Sequence, residues 1–155
     1  MSSHLPEPSH YPSYRKASEK ENPTFRGEAH RTRSALSFAH GADTYHDVRP
    51  SYPGEVAELI ADAHTVLDVG AGTGKLTETL TNPQVLACDP SPDMTRVLRE
   101  QLGVPTWRSV AESTALGDAS VDAVACAQTW HWVDVAKACG EFDRIVRPGG
   151  KVLLV

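Results

Sequence analysis

The chain has few cysteines, no long apolar run and no excess of positive charge, and each shortage removes a class of protein. Three cysteines stand among 155 residues, at Cys88, Cys126 and Cys139, without the paired spacing of a zinc site or a redox motif. The seven histidines are scattered, without helical i, i+4 pairing or cysteine neighbours, so no metal is expected. No apolar run approaches the roughly 20 residues that span a bilayer, and the amino terminus lacks a secretory signal's apolar stretch, so a cytoplasmic protein with no membrane partner is expected. A formal charge of -5 and a pI near 5.8 supply no basic field for a phosphate backbone. Nucleic acid is therefore not expected as a partner, and a small molecule is favoured.

What is present divides the chain in two. Residues 1–34 are rich in Ser, Pro, His and charge, with little to bury, and read as a disordered polar tail. Arg15, Arg26, Arg31 and Arg33 would suit an organellar targeting peptide, but Glu7, Glu19, Glu21 and Glu28 argue against it. Residues 35–155 alternate strand and helix signals and read as one folded domain. Pro53 opens a helix through Val56, Leu59, Ile60 and Ala63. Thr65–Val69 reads as a strand running into Gly70-Ala71-Gly72-Thr73-Gly74, followed by a helix through Leu76 and Leu80 that Asn82-Pro83 breaks. A short strand ends at Cys88, Ser91-Pro92 starts a helix carrying Met94, Val97, Leu98 and Leu102, and Gly103 ends it. A third strand lies near Thr106-Trp107-Arg108, and a fourth, Val121–Ala127, is apolar enough to be buried on both faces. A helix over about Val135–Ile145 leads through Pro148-Gly149-Gly150 to a fifth strand, Lys151–Val155. The expected fold is a Rossmann-like α/β three-layer sandwich around a parallel sheet with right-handed crossovers. Cys88 and Cys126 should then lie two strands apart, roughly 10 Å, too far for a disulfide.

The glycine turn carries the chemistry, because Gly-x-Gly at a strand end lets a ligand approach the backbone closely at a helix mouth. A nucleotide triphosphate loop is excluded: Val69 stands five residues before Gly74, and Leu76 replaces the magnesium-binding hydroxyl after Lys75. A dinucleotide fingerprint is disfavoured too, since its third glycine position holds Lys75. The spacing is Gly-x-Gly-x-Gly. Asp89 ends the second strand 19 residues after Gly70, where a carboxylate can accept hydrogen bonds from both ribose hydroxyls of an adenosine.

Asp68-Val69-Gly70-Ala71-Gly72-Thr73-Gly74 resembles the first motif of class I S-adenosylmethionine-dependent methyltransferases, of the type 11 kind. Asp89-Pro90-Ser91-Pro92-Asp93-Met94, Ala111-Glu112, the Val121–Trp132 strand and loop, and Arg147-Pro148-Gly149-Gly150 are similar to later parts of the same family. The resemblance covers about residues 38–155. It implies S-adenosyl-L-methionine as cofactor, held by Asp68, Gly70, Ala71, Gly72, Gly74 and Asp89. It also implies that Pro90 and Met94 border the adenine, and that Ala111 and Glu112 form its edge loop, although Val110 stands where the family usually has a small or acidic residue. Ordinary core packing is the alternative for Met94.

The ending Ala127-Gln128-Thr129-Trp130-His131-Trp132 and the stretch Tyr45-His46-Asp47-Val48-Arg49-Pro50-Ser51-Tyr52-Pro53 resemble the branch that includes trans-aconitate methyltransferase. That likeness implies that Tyr45 and Arg49 face the aminocarboxylate end of the cofactor, unless they only lead into the first helix. Gln128 and His131, at the carboxyl end of strand four, are the candidates for touching a methyl acceptor, Gln128 also bordering the cofactor. His131 can take a proton from a hydroxyl or amine near neutral pH, whereas a carboxylate acceptor needs no base. The alternative for His131 is packing between Trp130 and Trp132.

The family core has seven strands in the order 3-2-1-4-5-7-6, and only the first five are expected here. Strand five then forms an apolar edge open to pairing. Two functions follow: transfer of a methyl group to a small-molecule acceptor such as a carboxylate or hydroxyl, or non-catalytic binding of the cofactor by a remnant.

Overall fold

The computed structural model describes residues 50–155. The polar tail, the domain start near residue 35, Tyr45 and Arg49 lie outside them. Among the described residues three helices, α1 (Gly54–Glu58), α2 (Pro92–Leu102) and α3 (Val135–Ile145), flank five strands, β1 (Thr65–Val69), β2 (Gln84–Cys88), β3 (Thr106–Trp107), β4 (Val121–Cys126) and β5 (Val146–Leu154). The strands pair in parallel in the order β3-β2-β1-β4-β5, the arrangement expected of a Rossmann-like sheet. Among the described residues no helix is long and apolar enough to cross a membrane.

β1 is buried along its whole length, and β4 nearly so, because apolar layers cover both faces of the sheet. Leu67, Val69 and Val124 pack with Phe142 and Ile145 of α3 on one face. On the other, Val66, Ala123 and Ala125 pack with Ile60, Leu76 and Leu80. β1 lies between β2 and β4, so Cys88 and Cys126 are separated by a strand, and all three cysteines are free.

Capping residues place the helices. Ser91 accepts the Met94 N–H at 3.3 Å ahead of Pro92, and Gly103 closes α2 with a left-handed φ of 65°. Asp134 accepts the Lys137 N–H at 3.3 Å to begin α3.

Three elements depart from the sequence reading. α1 stops at Glu58, with Leu59 60% exposed. The Asn82 side-chain amide donates to the carbonyls of Ile60 and Ala63, both at 2.8 Å, so tight turns replace the last helical turns without leaving those oxygens unpaired. After the glycine turn only a 3₁₀ turn, Thr77–Thr79, forms where a helix was predicted. Glycines and β-branched threonines dominate that segment and disfavour a longer helix. β5 begins at Val146, and the Pro148-Gly149-Gly150 turn forms a bulge inside it: Val121 faces Val146, but Ala123 faces Lys151. A Cβ on Gly150 would sit 2.5 Å from the Asp122 carbonyl oxygen, so only glycine fits the bulge.

β5 is the sheet edge, and Val152 and Leu154 remain 48% and 45% exposed along it.

Candidate functional site

A cleft opens at the carboxyl ends of β1, β2 and β4, where crossovers leave opposite sides of the sheet. The cleft is open to solvent, and the empty space inside it and over its mouth together comes to about 750 Å³. One wall is the glycine turn from Gly70 to Thr73, the second is Asp89, Pro90 and Met94, and the third is Ala127, Gln128, Thr129 and Trp132, with Tyr52, Lys75 and Leu76 also on the lining.

The turn has this shape because two of its residues take left-handed backbone angles, φ 65° at Gly70 and 59° at Gly72, which side chains resist. Gly70 is also pressed against Thr129: a Cβ there would lie 2.3 Å from Thr129 Cγ2, whereas one on Gly72 meets nothing within 4 Å. The Asp89 carboxylate holds the turn from the side. Its Oδ2 accepts the Gly72 N–H at 2.9 Å and its Oδ1 the Ser91 N–H at 2.9 Å. Burial raises the Asp89 pKa, and these two donors act against that. A carboxylate has about four acceptor sites, so after two backbone bonds it still accepts two hydroxyl protons.

Asp68 lies under the turn, 1% exposed. Its Oδ2 accepts the Thr77 hydroxyl at 2.7 Å, but its Oδ1 is buried with no partner, and so is the Thr73 hydroxyl oxygen beside it on the lining. Asp68 Oδ1 is thus an acceptor on the cleft that a donor entering it would satisfy. Burial, and secondarily the nearby Asp89 charge, pushes the Asp68 carboxyl up to about 7, while the Thr77 hydrogen bond pulls it down. A cationic group entering the cleft would favour its ionised form.

The expected site residues separate into groups. Asp68, Gly70, Ala71, Gly72, Asp89, Pro90, Met94 and Gln128 come together on the cleft, Met94 also packing with Val97 as core. Gly74 does not line it. At φ 99° this glycine meets α2, where a Cβ would fall 2.7 Å from Leu102 Cδ1, so its role here is packing. Ala111 and Glu112 also stand off the lining: Ala111 is buried in the α3-side core, and Glu112 Oε1 accepts the Asp134 N–H at 2.6 Å at the start of α3. His131 is exposed in the 3₁₀ turn Trp130–Trp132, its ring centroid 4.8 Å from that of Trp132, and reaches the cleft only through that neighbour. It packs on one tryptophan rather than between two, since Trp130 turns to Phe142 at 6.0 Å.

The sequence reading did not single out Tyr52, Thr73, Lys75, Leu76, Thr129 and Trp132 as lining residues. All but Tyr52 lie inside or beside the two loops already marked, so proximity to the glycine turn and the β4 end was the available signal. Among the described residues no group of three metal-ligating side chains is close enough to hold an ion.

A parallel α/β sheet with an acid-flanked glycine turn at its switch point is the arrangement in which open α/β sheets bind ligands. The family model described as "Methyltransferase domain" matches residues 67–154, and the chain belongs to that family. An uncharacterized methyltransferase of Mycobacterium tuberculosis is 48% identical over 126 residues, 78% of this chain and 52% of that protein. The malonyl-[acyl-carrier protein] O-methyltransferase of Hahella chejuensis is 33% identical over 142 residues, 83% of this chain and 50% of its own length. The chain thus spans about half the length of these curated relatives. The same fold recurs in phosphoethanolamine N-methyltransferase 1 of Haemonchus contortus, solved with phosphoethanolamine and S-adenosylhomocysteine, at a TM-score of 0.64 and 19% identity over 83% of this chain and 32% of that one.

Proposed function

We propose that this chain carries the S-adenosylmethionine-binding half of a methyltransferase that acts on a small molecule through an acceptor oxygen, a carboxylate or hydroxyl. Family membership supports methyl transfer, and the O-methyltransferase among its relatives supports oxygen as the acceptor atom. The observation that carries the cofactor reading is the pair of buried acids on the cleft, Asp68 with an unpartnered oxygen and Asp89 with acceptor capacity to spare. In this reading Asp89 holds the ribose hydroxyls, Pro90 and Met94 border the adenine, and Asp68 faces the ammonium of the aminocarboxylate end. The cofactor, when bound, supplies an electrophilic methyl carbon on a sulfonium, so no nucleophilic side chain is required. The chain's part is to hold that carbon in line with the acceptor and keep water away.

Gln128, on the cleft wall, is the acceptor-side residue of this reading, and His131 takes part only where an acceptor lies over Trp132. The exposed β5 edge is where further polypeptide or a second chain would pair. The three free thiols suit a reducing cytoplasmic setting.

Replacing Asp89 by Ala is expected to weaken S-adenosylhomocysteine binding by about 1.5–3 kcal/mol, the range for a charge-assisted hydrogen bond. Calorimetry on both proteins checks this, and undiminished binding refutes the ribose assignment. In a catalytically active form, His131→Ala is expected to lower turnover only for an acceptor that lies over Trp132, with little change in cofactor affinity. Unchanged turnover removes His131 from the chemistry.

A further inference from the structure

We propose that Thr129 is a positioning residue of the cofactor cleft, its hydroxyl locking the glycine turn to the inverted backbone of Gln128. The inference rests on the reading of the cleft as the cofactor site, and neither the glycine motif nor the acid positions contain this residue.

The first observation is the fit between Thr129 and Gly70. The Thr129 side chain occupies the volume that any side chain at residue 70 would need, with its Cγ2, Oγ1 and Cβ at 2.3, 2.5 and 2.8 Å from a Cβ built there. The left-handed turn at Gly70 is thus packed from outside by one threonine rather than left open to solvent. The second observation is the hydrogen bonding. Thr129 Oγ1 lies 3.0 Å from the Gly70 carbonyl oxygen, 59 residues back in the chain, and 3.0 Å from that of Ala127, so its one proton is shared between the end of β1 and the end of β4. A hydroxyl is the smallest group that fills this place and donates.

The third observation is the residue between those anchors. Gln128 has φ 54°, a conformation uncommon for a side chain other than glycine and one that persists only when its surroundings enforce it. The Gln128 N–H donates to the Val155 carbonyl at 2.8 Å, which fixes its amino side. Thr129 fixes the carboxyl side by holding the next residue to Ala127 and Gly70. Both Gln128 and Thr129 line the cleft, so releasing the latch lets one wall relax toward an ordinary backbone angle and away from the turn.

The hydroxyl and the methyl of Thr129 make separable contributions. Thr129→Val keeps the shape and removes the donor, while Thr129→Ser keeps the donor and removes the methyl. S-adenosylhomocysteine binding to the full chain, measured by calorimetry and fitted to the folded fraction from circular dichroism, is expected to weaken roughly 3- to 10-fold in Thr129→Val, as the loss of one hydrogen bond predicts, and to stay within about 2-fold in Thr129→Ser. Equal affinity in Thr129→Val and the wild-type chain overturns the proposal. So does an equal loss in both variants, which would assign the effect to packing, or a loss that vanishes once the folded fraction is used. If the folded wild-type chain itself does not bind, the cofactor reading fails and takes this inference with it. A wild-type chain that binds while Thr129→Val binds equally well overturns the latch alone.

Discussion

Replacing Asp68 by Asn is expected to stabilise the ligand-free protein at pH 7.5 and to weaken its hold on the cofactor. The physical cause is burial: the carboxyl is 1% exposed, one of its oxygens has no partner, and its folded-state pKa stands at about 7 against an ordinary 3.8. The folded chain therefore holds a proton on Asp68 between these two values while the unfolded chain has released it. The favourable contribution is fully present below about pH 4 and is lost as pH rises through about 7. Asn imitates the protonated side chain at every pH, and its carbonyl oxygen can still accept the Thr77 hydroxyl. The stability advantage of Asp68→Asn over the wild-type chain is thus expected to widen by on the order of 2 kcal/mol between pH 5 and pH 7.5. Urea unfolding of both proteins at the two pH values measures the gap. A gap independent of pH would mean that Asp68 is ionised in its ordinary range.

The neighbouring group that matters is Asp89, whose own carboxyl is raised by burial and titrates together with Asp68. Asp89 is the charge that faces Asp68, and it is common to both proteins; the Cys88 and Cys126 thiols, pushed up to about 12 mainly by burial, stay neutral throughout. Lys75 stands on the cleft lining with its ammonium 3.6 Å from Glu78 Oε1. A stabilising substitution that costs binding is what a site held in a strained electrostatic state should give. For the wild-type chain the same reasoning has cofactor affinity falling as pH drops below about 7, because a cationic ligand must then displace the Asp68 proton.

Gly70→Ala is expected to destabilise the fold by about 2–5 kcal/mol. Roughly 1–2 kcal/mol comes from forcing a side chain into the left-handed region, and about 1–3 kcal/mol from overlap in a packed site. The overlap here is with Thr129, whose Cγ2 would lie 2.3 Å from the new Cβ. Gly72→Ala is the control. Its φ of 59° incurs the backbone cost, but a Cβ there has nothing within 4 Å, so only that roughly 1–2 kcal/mol of stability should go while binding suffers from a methyl placed in the cleft. Denaturant unfolding separates the two. Equal losses at both positions would show that Thr129 does not fill the space beside Gly70.

Signals local in sequence were legible. The β-branched run of β1, the Ser91-Pro92 start and Gly103 stop of α2, and the apolar periodicity of α3 are short-range features, and those elements fall where they were read. The acid after β2 and the glycine turn were legible as walls of one cleft for the same reason: each needs only a strand end and its following turn. What stayed hidden depends on partners far along the chain. The carbonyls left by the early end of α1 are taken by Asn82, and Glu112 is drawn to the Asp134 N–H rather than to the cleft. Thr129 looked like one more residue of an aromatic loop, because nothing in its neighbours reveals that Gly70 lies against it. His131 was read beside the crevice from its place after β4, but the 3₁₀ turn that follows carries it outward onto Trp132.

This cleft is expected to take an adenosyl sulfonium cofactor rather than a nicotinamide dinucleotide. Titration of the 155-residue chain with S-adenosylhomocysteine, and separately with NADH, followed calorimetrically at pH 7.5, tests it most directly. Saturable one-site binding of S-adenosylhomocysteine, weakened in Asp89→Ala and absent with NADH, is the result expected here. A folded chain that binds NADH, or that binds S-adenosylhomocysteine equally well without Asp89, would contradict it.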